Sequence, residues 1–295
     1  MILKDMSSAS TERIHRPVTG DRCGVVRCED VRMSDEVLLH GGVANGGAVV
    51  RVGDRVLRPS NPHSKSIHRY LGALQSAGFD GASVPVGIDT DGRERLGFIT
   101  GDVATPPYPA WAQTDAALGA IARRIRRLHD ASVGLDLDAT TWSDEMADPL
   151  GGEVMCHNDV CLENVVFRNG EAIALLDFDF AAPGRPEFDL AAFARMCVPV
   201  DEPGATPGLG WVTVDRPARV RLVSDEYGLD ATGRSTLFDC LSESIAQGGE
   251  FVRRRVEAGE VAFIEMWESM GGQERFDRRR RWWDTHRDEF AAALA

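Results

Sequence analysis

Four side chains in one short stretch carry most of the chemistry this sequence offers. Asp159, Asn164, Asp177 and Asp179 all fall in EVMCHNDVCLENVVFRNGEAIALLDFDFAAPG, residues 153–184. Asn169-Gly170 inside that stretch is the strongest short-range hairpin signal. It lies between Val165-Val166-Phe167-Arg168 and Glu171-Ala172-Ile173-Ala174-Leu175-Leu176. Folding there pairs Arg168 with Glu171 and, counting back, sets Asn164 opposite about Leu175. Asn164 and Asp177 then share the open end of the ribbon, two residues out of register, with Asp159 in the loop at the same end. Three carboxylates and an amide oxygen form a hard-oxygen set of the kind that suits Mg²⁺, and a cation would relieve their mutual repulsion. The plainer reading is a set of capping and turn residues, which the convergence of all four argues against.

The elements that position this set fall into two parts. Glu36–His40, Ala48–Val52, Arg55–Arg58, Ser83–Ile88 and Arg93–Ile99 read as about five antiparallel strands, with turns at Gly53-Asp54 and Asp89–Gly92. Ser64–Ala77 reads as a helix with Ile67, Leu71 and Leu74 on one face. After Gly101 the character changes. Thr114 caps a helix running to about Asp130, with Leu118, Ile121, Ala122, Ile125 and Leu128 on its apolar side. Helices follow at roughly 187–197, 217–228, 234–258 and 273–293. The plan is α+β: an irregular segment 1–33, a small β-rich part 34–101, and a larger helical part 102–295.

His157-Asn158-Asp159-Val160-Cys161-Leu162-Glu163-Asn164, followed by Asp177-Phe178-Asp179, has the spacing of a phosphoryl-transfer template. In that template a loop aspartate orients the acceptor hydroxyl, and an Asn and a later Asp hold Mg²⁺. HNDVCLEN followed by LLDFDFAAPGRPEFDLAAF resembles the catalytic segment of the aminoglycoside phosphotransferase family, the kinase-like small-molecule phosphotransferases. VLRP, the helix ending AGF, the hairpin ending LGFITG and the helix holding Arg127-Leu128-His129 extend the resemblance to roughly 36–295. It implies a bilobal protein-kinase-like fold with ATP or GTP between a β-rich N-lobe and a helical C-lobe. By position it implies Asp159 as catalytic base, Asn164 and Asp177 as Mg²⁺ ligands with Asp179 beside them, and Asp189 as structural. It places Arg58 on the phosphates and the backbone of Phe98 and Ile99 against the base. The Gly41–Gly47 run, including Gly42 and Gly46, lies where a phosphate-covering loop would sit, although Ala48-Val49 rules out a Walker A motif.

Two departures stand out. Arg58 occupies the place of the kinase lysine, and arginine keeps the charge with a different donor geometry. The helix over 64–77 has no Glu or Asp, so the usual lysine–glutamate pair has no acidic partner there. His68 reads as a surface or packing residue. A nucleotide-binding pseudokinase fits those departures, while intact Asp159, Asn164 and Asp177 oppose it. A dehalogenase-type phosphatase could use Asp177 and Asp179 of LLDFDF, but the motif is mid-chain and no alternating βα pattern follows.

Composition sets the outer bounds. The 295 residues carry 33 basic and 46 acidic groups, a net charge of −13, and the only lysines are Lys4 and Lys65. So acidic a chain argues against nucleic acid. Arg278–Arg281 with Trp282-Trp283 reads as a charged helix face with tryptophans packed inward. No apolar run is long enough to span a bilayer and the N-terminus lacks a signal-peptide core, which points to the cytoplasm. Cys23, Cys28, Cys156, Cys161, Cys197 and Cys240 form no CxxC pair and read as reduced thiols. The sequence thus predicts a Mg²⁺-dependent phosphotransferase acting on a small-molecule hydroxyl, with the oligomeric state open. Asp201, Glu202, Asp239, Glu243, Glu250, Glu257, Glu260, Glu265 and Glu268 on the later helices suit a cationic acceptor such as an aminoglycoside, hence a role in antibiotic resistance.

Overall fold

Both expected hairpins form, and a pairing between them makes a single sheet. Strands β1 (Val37–Leu38), β2 (Val50–Val52), β3 (Arg55–Pro59), β4 (Pro85–Ile88) and β5 (Arg93–Gly97) lie in the antiparallel order β1-β2-β3-β5-β4. In this computed structural model the described residues are 36–39, 48–137 and 140–295, all within one packed unit. The segment 1–33 and the glycine run with Gly42 and Gly46 lie outside them. The turn between β2 and β3 works because Gly53 takes a φ of 60°, which a side chain would disfavour. Helix α1 (Ser64–Ser76) buries Ile67, Tyr70, Leu71 and Leu74. It stops where Gly78 turns left-handed at φ 83° and Phe79 N–H returns to the Leu74 carbonyl at 2.9 Å.

The helical part is built as its periodicity dictates. Helix α2 (Asp115–Ser132) begins at Thr114, whose hydroxyl accepts from Ala117 N–H at 3.1 Å. Leu118, Ile121, Ala122, Ile125 and Leu128 are buried along it. Arg124, although charged, is also buried, donating from Nε to the Ala172 carbonyl at 2.9 Å. Helices α3 (Pro186–Cys197), α4 (Arg216–Tyr227), α5 (Ala231–Glu257), α6 (Val261–Met270) and α7 (Gly272–Leu294) complete the part. Helix α6 is absent from the sequence reading. It is short, bounded by left-handed Gly259 and Gly271, and rests on α5 through Phe263 and Phe251, so tertiary contact rather than a long amphipathic pattern makes it. On α7, Trp283 is buried with its Nε1–H on Ser242 Oγ at 2.9 Å, while Arg275 and Arg279 turn inward to Asp201. Of the basic-aromatic run, Trp283 packs inward as expected and Trp282 is half-buried. Among the described residues no helix is long and apolar enough to cross a membrane.

Between the sheet and the helices lie two small sheets. Strands β6 (Asp102–Val103), β8 (Val165–Arg168) and β9 (Glu171–Leu175) pair antiparallel in the order β6-β8-β9, and β7 (Val154–Cys156) pairs with β10 (Ala182–Gly184). The approach of β6 to β8 depends on Gly101. A Cβ there would sit 2.5 Å from the Phe167 carbonyl oxygen, against backbone that cannot yield. Gly101→Ala is therefore expected to destabilise the protein by about 1–3 kcal/mol, as overpacking does. An unchanged urea midpoint would refute this.

Candidate active site

The Asn169-Gly170 hairpin places the chemistry where expected, with one adjustment. Arg168 faces Glu171, but a bulge at Val166/Phe167 shifts the register so that Val165 faces Leu175. Asn164 therefore meets Leu176, whose N–H donates to the Asn164 carbonyl at 2.8 Å. Asn164 and Asp177 are thus one residue out of register, not two, because the extra bulged residue lengthens one strand. Asp177 itself is left-handed, at φ 61° and ψ 70°. Short polar side chains tolerate that region best, and there it re-aims the strand end toward the loop.

The loop before Asn164 is suspended from one buried carboxylate. Asp189 on α3 accepts from the His157 and Asn158 N–H groups at 2.9 and 2.7 Å, and from His129 Nε2 at 2.8 Å. Burial works against its charge, but these bonds, led by the His129 hydrogen bond, outweigh it and hold Asp189 below the usual carboxylate range. Asn158 is left-handed, at φ 65°, and its Nδ2 donates to the Phe180 carbonyl at 2.9 Å. His157 Nδ1 accepts from Asp159 N–H at 3.3 Å, so Nε2 carries the proton that reaches the Leu176 carbonyl at 2.9 Å. The ring is neutral, and burial pushes its pKa down. It also lies 4.5 Å from the Phe178 ring, which meets Tyr70 of α1 edge-on at 6.0 Å. On the far side Tyr108 donates to Glu163 at 2.9 Å and packs on Trp211. No motif in the sequence marked that contact.

Asp159 and Asn164 touch: Asn164 Nδ2 donates to the Asp159 carbonyl at 2.9 Å and to Oδ2 at 3.1 Å. Burial first, then the charge of Asp177, pushes the Asp159 carboxyl up to about 8, with buried Arg195 opposing. Asp177 and Asp179 converge on one guanidinium. Arg58 Nη1 lies 2.7 Å from Asp177 and Nη2 2.6 Å from Asp179. Burial and the neighbouring Asp177 raise Asp179 to about 6, even with Arg58 beside it. Oxygen donors crowded onto a single cation at one end of the ribbon fit a divalent metal such as Mg²⁺, which would share their negative charge.

The expectation that Arg58 lacks an acidic partner is overturned. Glu94 on β5 stands directly across from Arg58 in the β3–β5 register and is fully buried. Its Oε1 lies 2.7 Å from Arg58 Nε, and its Oε2 accepts from His68 Nε2 on α1 at 2.8 Å. His68 is therefore part of the site and not a surface histidine. The signal was a buried acid in RERLG, hidden because β3 and β5 are not adjacent in sequence. Phe98 sits at the junction with its N–H on the Asp54 carbonyl at 2.9 Å and its ring under Arg51; Ile99 follows, half-buried. Strand β9 leads to Asp177 from an antiparallel sheet. The parallel Rossmann-like scaffold of a dehalogenase-type phosphatase is not what holds the Asp177–Asp179 pair.

A model of the phosphotransferase enzyme family matches residues 135–209. The trifolitoxin immunity protein of Rhizobium leguminosarum bv. trifolii is 33% identical over 216 residues, covering 71% of this chain and 80% of that protein. A choline/ethanolamine kinase family protein from Mesorhizobium loti superposes with a TM-score of 0.58 at 15% identity, over 89% of this chain and 92% of the other. The GDP complex of aminoglycoside 2'-phosphotransferase-IIIa gives 0.55 at 14% identity, over 85% and 94%. At such identities the two structures establish the fold: bilobal, protein-kinase-like and α+β.

His157 makes a contribution to stability that falls on acidification. Unfolded His157 takes a proton near its ordinary value of 6.5 that the folded ring refuses, so its contribution drops as pH falls below that value. The carboxyls of Asp159 and Asp179, raised to about 8 and about 6, pull the other way, because the folded chain takes up their protons first. Urea melts of wild type and His157→Gln between about pH 5 and 7.5 separate the two: the stability of wild type relative to the variant should fall as pH drops through about 6.5. A difference constant across that range would contradict it.

Proposed function

We propose that this chain, which belongs to the phosphotransferase enzyme family, moves the γ-phosphate of ATP or GTP to a hydroxyl of a small molecule in the cytoplasm. The observation that carries this reading is the meeting of Asp159, Asn164, Asp177 and Asp179 at one end of the β8–β9 ribbon, facing Arg58 of the sheet.

Asn164 and Asp177, with Asp179 beside them, would hold Mg²⁺. When bound, the ion neutralises the phosphate oxygens and orients them for transfer. Arg58 binds the remaining phosphate oxygens through its two Nη groups. The Phe98 carbonyl and the Ile99 backbone meet the purine. Asp159 aligns the acceptor hydroxyl and takes its proton. The acceptor oxygen bonds to the γ-phosphorus as the bridging bond to the β-phosphate breaks and the nucleoside diphosphate leaves. A carboxyl pushed up to about 8 is a stronger base than an ordinary aspartate, which suits that role near neutral pH.

The acceptor belongs to the hydroxyl-bearing small molecules, and an aminoglycoside-like cation is the class we put first. Its support comes from the names of the fold neighbours, and a role in self-protection from the name of the immunity protein. The acidic helices add little. Six of the nine acids singled out in the sequence, Asp201, Glu202, Glu243, Glu250, Glu257 and Glu260, are already paired with arginine.

The test is nucleotide consumption with Mg²⁺ against aminoglycosides, other antibiotics and amino alcohols. Asp159→Ala should lower turnover by roughly 10²–10⁴-fold, the range for loss of a general base, with nucleotide affinity little changed. Turnover indifferent to Asp159→Ala would sink the mechanism. Nucleotide binding with no turnover on any acceptor would make the chain a pseudokinase.

A further inference from the structure

We infer that Glu94 is a positioning residue that replaces the helix acid of other kinase-like enzymes, holding Arg58 by Nε as a pivot while both Nη groups serve the nucleotide. The inference rests on the phosphotransferase reading above and deepens it.

The argument starts from the three nitrogens of arginine. A lysine presents one ammonium, so an acid that holds it and a phosphate must share a single nitrogen. Arg58 divides the work. Its Nε faces Glu94 at 2.7 Å, while Nη1 and Nη2 reach forward to Asp177 and Asp179. Glu94 stands behind Arg58 on the neighbouring strand, fully buried, and is itself fixed on its other oxygen by His68 of α1 at 2.8 Å. Ser64 Oγ, also on α1, lies 3.4 Å from Glu94 Oε1. The helix thus reaches the cation through a histidine and a strand acid in series.

At Nε the contact is a charge pair: Arg58 Nε is close to Glu94 yet buried without an aligned hydrogen-bond partner. With Asp177 and Asp179 turned to Mg²⁺, the guanidinium would settle with Nε–H on Glu94 and both Nη groups on phosphate oxygens.

The experiment is calorimetric binding of Mg²⁺–ATP and Mg²⁺–GTP to the full chain, with melting temperatures measured in parallel. Glu94→Gln keeps the shape and removes the charge; it should weaken binding about tenfold, the scale of one charge-assisted hydrogen bond. In an Arg58→Ala background the same change should cost less than about twofold, because the residue it acts through is gone. Arg58→Lys should also weaken binding about tenfold despite the retained charge. Should Glu94→Gln not fold, His68→Leu tests the same chain of contacts, with a loss of a few-fold in affinity that His68→Gln restores. Wild-type binding with full affinity retained in Glu94→Gln, or equal losses with and without Arg58, would overturn the positioning role alone. A wild-type chain that binds neither nucleotide would overturn the phosphotransferase reading along with it.

Discussion

A carboxylate with no access to water must find its own donors, and the loop of this site is shaped by that requirement. Asp189 takes two successive backbone N–H groups, from His157 and Asn158, and a third donor from His129. Two adjacent amides can point at one carboxylate only if the chain turns sharply, and the left-handed Asn158 is that turn. The turn ends the strand leading from β7 and throws Asp159 toward the ribbon end. Breaking the brace would leave a buried charge and unpaired amides, a combination that costs several kcal/mol. The geometry of Asp159 is therefore set by a residue that never meets the reactants.

The same economy governs the opposing lobe. Arg58, Glu94, Asp177 and Asp179 bring three negative charges onto one positive one in a largely buried volume. Such an arrangement is stable only while each member is held by others. Glu94 is held by His68, and Asp177 by its strand and by neighbouring Phe178, whose ring meets His157 at a tilt and Tyr70 edge-on. The small sheet, the helix behind it and the loop below are tied together through charges and rings rather than through aliphatic packing alone.

How much of this could be read beforehand depended on how local each signal was. The Asn169-Gly170 turn, the Gly53-Asp54 turn, Thr114 as a cap and the apolar face of α2 are decided by neighbours within a few residues, and all were legible. The bulge at Val166/Phe167 was not, since the pattern of small and branched residues there fits either register. The Arg58–Glu94 contact was missed because strand order across β3 and β5 is a tertiary matter. The helix facing Arg58 carries no acid, so nothing in its local sequence shows the pair. Helix α6 escaped for another reason: at 10 residues it is too short for a face to stand out.

Arginine dominance has a consequence for how the whole molecule meets alkali. The ion pairs on the helices are guanidinium–carboxylate pairs, and guanidinium does not give up its proton in any ordinary buffer. The tyrosines Tyr70, Tyr108 and Tyr227, and the described cysteines Cys156, Cys161, Cys197 and Cys240, are pushed upward mainly by burial. Apart from the Asp159 carboxyl, at about 8, and Arg279, which burial lowers to about 10, almost nothing among the described residues changes charge from neutrality to well above it. The protein behaves there as a polyanion of nearly fixed valence: its electrophoretic mobility and the mutual repulsion of its copies stay level where a lysine-rich protein of equal charge would drift.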